Sequence, residues 1–301
     1  MMKTKSLIYI AGPTGVGKTK ISLELADKFQ TDIISCDSRQ FYKEMSIGTA
    51  VPHKKDLMKV PHHFIQHKSV KEIYTVGDFE KDAILKLNQL FKTKDTIIMV
   101  GGSGMYADAV MFGMDKFPDV SPELRKQIRL FYQTHGLKSL QELLLEKDPK
   151  YYSRVDIKNP MRLIRALEVC ISSDKPYSSF LGKHRVKRNF VSKMIVLHSS
   201  RKELYEKINR RVDHMIKEKL EDEVKSLLKY RNLSPLKTVG YKEFFLYLDG
   251  EINLEKAISD IKKNTRRYAK RQITWFKKYE NAISFPSDNS VQEVYDVLTS
   301  R

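Results

Sequence analysis

The sequence has 301 residues, of which 41% are hydrophobic and 31% charged, which is typical of a globular protein with one large domain or two moderate ones. No apolar run is long enough to cross a membrane, and two cysteines are too few for a disulfide framework or a structural zinc site. The 55 Lys and Arg residues exceed the 37 Asp and Glu residues by 18, a surplus that favours a polyanionic partner such as nucleic acid.

The N-terminus has a basic start and a short apolar run, which leads into a glycine-rich pattern rather than a cleavage site. We therefore expect no signal peptide, and we expect a cytoplasmic protein with reduced thiols.

The first part of the chain alternates short apolar runs with amphipathic segments. Residues 7–10, 33–34 and 96–100 are predicted strands, and residues 19–29 and 78–91 are predicted helices. This alternation predicts the α/β class, with a P-loop NTPase-like parallel sheet flanked by helices.

The pattern then changes to helices alone, from residue 121 to about 173. Ser121-Pro122 and Asn159-Pro160 each place a capping residue before proline at the first helical position. A basic stretch follows at residues 183–188, and strand character returns at residues 194–197. We predict an all-helical insertion domain, residues 116–190, within a core formed by residues 1–115 and 191–301, whose C-terminal part is helical.

A phosphate-binding pattern, G-x-x-x-x-G-K-[ST], lies between the first strand and the first helix, which is the context that a P-loop requires. It consists of Gly12, Pro13, Thr14, Gly15, Val16, Gly17, Lys18 and Thr19. Its glycines allow backbone N–H groups to approach phosphate oxygens, Lys18 adds a positive charge, and Thr19 offers a hydroxyl to Mg²⁺. The pattern predicts a diphosphate- or triphosphate-binding site, as in ATP-binding proteins, without defining the reaction.

Two polar side chains follow predicted strands and belong to the same edge of a parallel sheet. Asp37 would bind Mg²⁺ through water, act as a general base or merely cap a turn. Ser103 follows Gly101-Gly102 and offers a hydroxyl donor, a helix cap or both. A kinase or GTPase is expected to have a metal-binding Asp where this chain has glycines, which weakens that assignment.

The last predicted helix carries many basic residues and no acid between them, and a single sign of charge over about four turns favours a phosphate-backbone partner over a merely solvated face. These residues are Lys262, Lys263, Arg266, Arg267, Lys270, Arg271, Lys277 and Lys278. A spacing of three to four residues places Gln272 on the packing face. We expect Trp275 in the core rather than at a base-stacking position. The adjacent His62 and His63 point to opposite faces of a strand, which argues against metal ligation.

Together these segments resemble the tRNA dimethylallyltransferase (tRNA isopentenyltransferase) family over nearly the whole chain. The matching segments are GPTGVGKT at 12–19, DSRQFYKEMSIGTA at 37–50, VPHHF at 60–64, GGSGMY at 101–106, RLIRALEV at 162–169, LYEKINRRVDHM at 204–215, VGYKE at 239–243 and TRRYAKRQITWF at 265–276. Val51 stands where the family frequently has Lys, which removes one charge near the tRNA.

The resemblance implies that residues 12–19 bind the diphosphate of dimethylallyl diphosphate, with Mg²⁺ near Thr19. It implies a catalytic set of Asp37, Ser103, Lys18 and Arg211, in which Asp37 accepts a hydrogen bond or proton from the adenine amine and Arg211 neutralises the leaving diphosphate. It also implies tRNA contacts by Asp37, Ser38, Arg39, Gln40, Ser103, Arg125, Met161, Arg162, Leu163, Ile164, Arg165, Lys237, Gly240, Tyr241, Lys242, Arg267, Lys270 and Arg271. For Arg162 and Arg165, ion pairs within the helical bundle are the alternative.

The resemblance implies transfer of a dimethylallyl group to N6 of the adenosine immediately 3′ of the anticodon, with the tRNA anticodon stem-loop as partner and diphosphate as product. We expect a monomer without an obligate protein partner. A small-molecule or nucleotide kinase and a non-catalytic RNA-binding P-loop protein are the alternatives. The GGSG segment and the basic helix disfavour the kinase, and Asp37 and Arg211 at matching positions disfavour the binding protein.

Overall fold

The computed structural model describes residues 4–182 and 186–300, so residues 183–185 of the predicted basic stretch lie outside the described residues. Two compact units are present: residues 112–187 form one, and the parts of the chain before and after them form the other. The boundaries predicted for the insertion were residues 116 and 190.

A six-stranded sheet in the order β3-β2-β4-β1-β5-β6 is the centre of the first unit, and its neighbouring strands are parallel. The strands are β1 (Ser6–Ala11), β2 (Ile33–Ser35), β3 (His62–His63), β4 (Thr96–Val100), β5 (Val191–His198) and β6 (Ile283–Pro286). The predicted parallel α/β sheet is confirmed. β5 is longer than predicted, and β6 was not predicted, because four residues are too few to show a clear alternation.

Twelve α-helices are present among the described residues. They are α1 (Lys18–Lys28), α2 (Lys54–Lys59), α3 (Val76–Leu90), α4 (Gly104–Phe112), α5 (Pro122–Lys147), α6 (Pro149–Tyr152), α7 (Pro160–Ser173), α8 (Arg201–Lys217), α9 (Leu220–Ser226), α10 (Tyr241–Leu248), α11 (Leu254–Phe276) and α12 (Val291–Thr299). None of them, in the part of the chain that the structure describes, is long and apolar enough to cross a membrane.

Apolar side chains pack on both faces of the sheet. Along the central strand β1, Leu7 and Tyr9 belong to one buried cluster, whereas Ile8 and Ile10 belong to another. Side chains alternate between the faces of a strand, so a strand that is buried on both sides has a continuous apolar sequence. The predicted helical layers on both faces of the sheet are thereby confirmed.

The second unit is helical, as predicted for this part of the chain. Ser121 accepts a hydrogen bond from the Leu124 N–H, and Asn159 accepts one from the Arg162 N–H, so both predicted caps are present. Gly136 interrupts α5 with φ 76°, a left-handed conformation that glycine adopts without a steric penalty. The core of this unit is formed by α5 and α7.

His67 lies in an aromatic cluster of the first unit, and its surroundings lead us to expect that the folding stability of the protein depends on pH. The rings of Phe41, Phe64 and Tyr74 contact it edge-on, and neither of its ring nitrogens has a hydrogen-bond partner in the described part of the chain. Burial lowers the pKa of His67 from 6.5 to about 4, which keeps the folded imidazole neutral.

Because the unfolded chain protonates His67 near its ordinary pKa of about 6.5, folding stability should decrease as the pH falls from 6.5 towards 4. We expect His67→Phe to reduce this decrease, measured as the difference between urea midpoints at pH 7.5 and pH 5. The same replacement at exposed His53 is the control. Equal pH dependence of His67→Phe and the wild type would contradict this assignment.

Candidate active site at the carboxyl edge of the sheet

The loops that follow β1, β2 and β4 form the candidate site. Residues 12–17 follow β1, Asp37 follows β2, and residues 101–103 follow β4. These three strands are neighbours in the sheet and run in parallel, so their carboxyl ends meet at one edge. The tertiary structure therefore brings together the phosphate loop, Asp37 and Ser103, as the sequence predicts.

The phosphate loop has the backbone that its glycines allow. Gly15 and Gly17 adopt φ values of 81° and 109°, and α1 begins directly after Gly17. The Lys18 ammonium curves back over the loop and donates to the carbonyl oxygens of Gly12, at 2.8 Å, and Pro13, at 2.9 Å. Val16 is buried in the core, so only its backbone is available to a phosphate.

Two cations and one carboxylate converge beside this loop. Burial lowers the pKa of Lys18 from 10.5 to about 8, opposed by the negative charge of Asp37 and reinforced by the positive charge of Arg211. Burial also lowers the pKa of Arg211, and Asp37 again opposes the shift. The Arg211 guanidinium donates a hydrogen bond to the Thr49 carbonyl at 3.3 Å. An anionic ligand would relieve the repulsion between these two partly desolvated cations.

Asp37 caps a turn and also faces open space. Its Oδ1 accepts the Arg39 N–H at 3.1 Å, so the turn-capping alternative is confirmed as one of its roles. The same side chain lines a cavity of about 40 Å³ together with Lys18 and Thr19, and a cavity of about 430 Å³ together with Arg211. Asp37 therefore borders both cavities.

Ser103 contacts the segment that carries Asp37. Its Oγ accepts the Ser38 N–H at 3.1 Å and shares a hydrogen bond with the Ser38 Oγ at 3.0 Å. The first turn of α4 bonds instead to the Ser103 backbone carbonyl. The neighbouring Gly101 is needed for this approach, because a Cβ there would lie 2.8 Å from the Asp37 backbone nitrogen.

Glu223 of α9 holds the loop that follows Asp37, and the sequence patterns did not identify it. Its carboxylate accepts the N–H groups of Ser46, Ile47 and Gly48 at 2.8, 2.7 and 2.9 Å, and the Tyr241 hydroxyl at 2.7 Å. This loop supplies the Thr49 carbonyl that Arg211 contacts. No local motif could reveal Glu223, because its partners lie far away in the chain.

Three residues implied to contact tRNA have buried side chains, and a fourth forms an ion pair within the protein. The side chains of Tyr241, Leu163 and Ile164 are buried, so a contact of these residues with RNA would have to come from their backbone. They occupy the inward faces of α10 and α7, which only packing reveals. Arg165 forms an ion pair with Glu168 at 3.3 Å, which confirms the ion-pair alternative for this arginine.

Other implied tRNA contacts are exposed. Arg125, Met161 and Arg162 are exposed on the second unit. In the first unit, the larger cavity is lined by side chains or backbone of Ser38, Arg39, Lys237, Gly240, Lys242 and Arg271, among others. Gln40 instead lines the smaller cavity, and its amide donates to the Thr49 and Ala50 carbonyls at 3.2 and 3.0 Å.

Acidic side chains neutralise part of the basic segment 262–278, which comprises the C-terminal part of α11 and the two residues after it. Lys262, Lys263 and Lys278 form ion pairs with Asp213, Asp260 and Asp108, respectively. The remaining exposed cations of this helix that make no ion pair among the described residues are Arg267, Lys270 and Arg271, with Lys277 directly after its end.

The expectation that Trp275 lies in the core is wrong. Its side chain is 38% exposed, and the Lys278 ammonium lies 3.8 Å from the centre of its ring. A cation in this position is attracted by the electron-rich face of the indole, which lets the ring remain at the surface.

A parallel sheet with a glycine-rich loop, two adjacent cations and a carboxylate at its carboxyl edge defines a P-loop-like α/β protein. Residues 40–279 match the sequence model of the IPP transferase family. The chain is 50% identical to the tRNA dimethylallyltransferases of Flavobacterium psychrophilum and Christiangramia forsetii, over 98% of this chain and 98% of each relative. The chain belongs to the IPP transferase family, and it is a prenyltransferase.

The fold agrees with this assignment. A crystal structure of the full-length tRNA isopentenylpyrophosphate transferase from Bacillus halodurans superposes with a TM-score of 0.72 at 35% sequence identity. The match covers 98% of this chain and 96% of that one. The match therefore includes residues of both units.

Proposed function

We propose that this protein transfers the dimethylallyl group of dimethylallyl diphosphate to N6 of the adenosine immediately 3′ of the anticodon in tRNA, and releases diphosphate. The observation that carries the proposal is that Asp37 borders both the smaller cavity, which Lys18 lines, and the 430 Å³ cavity, which Arg211 lines. The names of the family relatives support the donor and the acceptor.

Cleavage of the allylic C–O bond adds one negative charge to the diphosphate, which is already anionic, and the proposed donor site can stabilise this charge. The loop N–H groups, Lys18 and Arg211 would be in place before the bond breaks, so little reorganisation is required at the moment of reaction. Water must be kept away from the allylic carbon, because hydrolysis would compete with transfer. The smaller cavity, of about 40 Å³ next to Lys18, suits this requirement, and we call it the donor cavity.

The acceptor amine needs help, because its lone pair is delocalised into the adenine ring. The nitrogen attacks the allylic carbon, a C–N bond forms as the C–O bond breaks, and the amine then has one proton too many. We propose that the Asp37 carboxylate accepts this proton or a hydrogen bond from it. Ser103 holds the neighbouring Ser38, so it would keep Asp37 aimed at the amine.

The donor cavity also suits Mg²⁺. Thr19, Ser22, Ser35 and Asp37 line it, and their side chains carry the hard oxygen atoms that Mg²⁺ prefers. Because Mg²⁺ usually takes few protein ligands when it binds with phosphates, we propose that Thr19 holds it directly and Asp37 through water. When bound, it would further neutralise the diphosphate.

The tRNA would approach the larger cavity of the first unit. Lys237, Lys242 and Arg271 line this cavity and offer positive charge to the RNA backbone. A base in a single-stranded loop can leave its stack at low cost, so the target adenine can enter the cavity. We propose that exposed Arg125 and Arg162 of the second unit add further contacts, and that the protein acts as a cytoplasmic monomer.

The proposal is tested by incubating the wild-type protein with tRNA, Mg²⁺ and dimethylallyl diphosphate, followed by mass spectrometry of the nucleosides. A gain of one C5H8 unit on adenosine supports it, and reactions without donor or with guanosine at the target position are the controls. Turnover of ATP in the absence of tRNA, without such a product, would instead support the kinase alternative.

Charge reversal on α11 tests the tRNA surface. We expect Arg267→Glu with Arg271→Glu to weaken tRNA binding. The slope of log affinity against log salt concentration should become shallower by roughly 0.7 to 0.9 per lost phosphate contact. Affinity for dimethylallyl diphosphate should stay within about twofold, since the phosphate loop is unchanged. The measurements are tRNA affinity at several salt concentrations, donor affinity and melting temperature.

The matched control for α11 is Lys81→Glu with Lys92→Glu, which changes the net charge equally at two exposed positions outside both cavities. If this control weakens binding as much as the α11 variant, general charge rather than this surface attracts the tRNA. A parallel loss of melting temperature and of affinity for both substrates would show that the arginines serve the fold.

A further inference from the structure

Gln272 is a polar residue in the buried face of α11. Its side chain is 5% exposed and makes two hydrogen bonds with backbone groups that lie far away in the chain. Its Oε1 accepts the Thr14 N–H at 2.8 Å, and its Nε2 donates to the Gly102 carbonyl at 2.9 Å. One amide group therefore connects the helix to the phosphate loop and to the loop after β4.

The Gln272 amide packs so closely against Gly102 that no side chain fits at position 102 while the amide stays in place. A Cβ on Gly102 would lie 2.1 Å from the Gln272 Nε2, so any larger residue at 102 would displace the amide. The φ angle of Gly102 lies outside the left-handed region, which means that close packing rather than backbone conformation calls for glycine there.

The contact continues from Gly102 to the proposed base. Ser103 is the next residue, and its hydroxyl holds the N–H and hydroxyl of Ser38, which adjoins Asp37. Thr14 on one side and Asp37 on the other both line the 430 Å³ cavity. Gln272 thus lies between the segment that would carry the donor and the segment that would carry the base.

We infer that Gln272 is a positioning residue for prenyl transfer: it sets the separation between the phosphate loop and the Asp37 segment. This inference rests on the proposed function. Bound reactants must be aligned within a fraction of an ångström, and a displacement of about 1 Å can cost about 10²-fold in rate. The Lys18 contacts to the Gly12 and Pro13 carbonyls, the Gly101 N–H bond to Ile10 and the Cys36 N–H bond to Val100 do not involve Gln272. The loss of Gln272 should therefore disturb alignment more than binding.

The test replaces Gln272 with methionine, which has a similar volume but cannot hold both loops. We expect single-turnover transfer at saturating tRNA and donor to fall about 10- to 100-fold. The dissociation constants of dimethylallyl diphosphate and of tRNA, measured separately, should change less than about threefold. If Gln272 only stabilised the fold, its loss would not lower the transfer rate while leaving both dissociation constants nearly unchanged.

Two further variants make the test decisive. Gly102→Ala breaks the same contact from the opposite partner, and it should lower the rate similarly; the double variant should be little worse than either single one, because the two changes remove one interaction. Ala257→Gly, at a buried position of the same helix, is the control for loss of helix stability, about 1 kcal/mol.

The inference is overturned if Gln272→Met transfers as fast as Ala257→Gly, if binding falls as much as rate, or if the effects of Gln272→Met and Gly102→Ala simply multiply. Should Gln272→Met not fold, the rate and binding of Gly102→Ala decide by the same criteria. The proposed function is judged separately, by whether the wild type forms prenylated adenosine. A normal product in the wild type with no effect of these variants defeats the inference alone.

Discussion

Replacement of Asp37 by asparagine is expected to slow prenyl transfer by about 10²-fold or more at saturating substrates, the usual effect of losing a general base. The asparagine retains an oxygen that can accept the Arg39 N–H, so the turn after β2 should survive. It loses the negative charge that would accept the proton from the adenine amine. The expected defect is therefore one of rate, with little change in folding.

Single-turnover kinetics with saturating tRNA and donor measure this effect, and melting temperature verifies the fold. Asp222→Asn, at an exposed position of α9, is a control for the loss of one carboxylate. A wild-type rate in Asp37→Asn would show that the carboxylate only caps the turn.

Replacement of Lys18 by alanine is expected to lower kcat/KM for dimethylallyl diphosphate by about 10³-fold, because one of two cations facing the diphosphate is lost. Affinity for tRNA should survive, since the exposed cations of α11 and of the larger cavity are unchanged. Lys20→Ala, at an exposed position in the first turn of α1, is the matched control.

The pH dependence of donor affinity tests the charge on Lys18 independently. Burial lowers the pKa of Lys18 to about 8, so its ammonium is mostly charged at pH 7 and loses its proton as the pH rises through 8. Donor affinity of the wild type should therefore weaken above pH 8, and Lys18→Ala should show a smaller decline. An equal decline in both would assign the titration to another group.

Several features could be predicted from the sequence because their causes are local. The phosphate loop is a contiguous pattern whose glycines determine its backbone, and α1 begins directly after it. Ser121 and Asn159 cap helices through residues three positions further along. The order of strands and helices then predicted a parallel sheet, and this placed Asp37 beside the loop. By contrast, β6 and α12 were missed, because the strand is short and lies after the last recognised motif.

By itself, the sequence determined the fold class, the phosphate loop and the candidates Lys18, Asp37, Ser103 and Arg211. Only the tertiary structure decided which remaining residues are available. Tyr241 proved to be buried, and Trp275 proved to be exposed. Asp213 and Asp108, which pair with Lys262 and Lys278, come from other helices, and the spacing of charges within one helix cannot reveal them. Hydrogen bonding and burial depend on groups that are distant in the chain, whereas loop conformation and capping depend on neighbours.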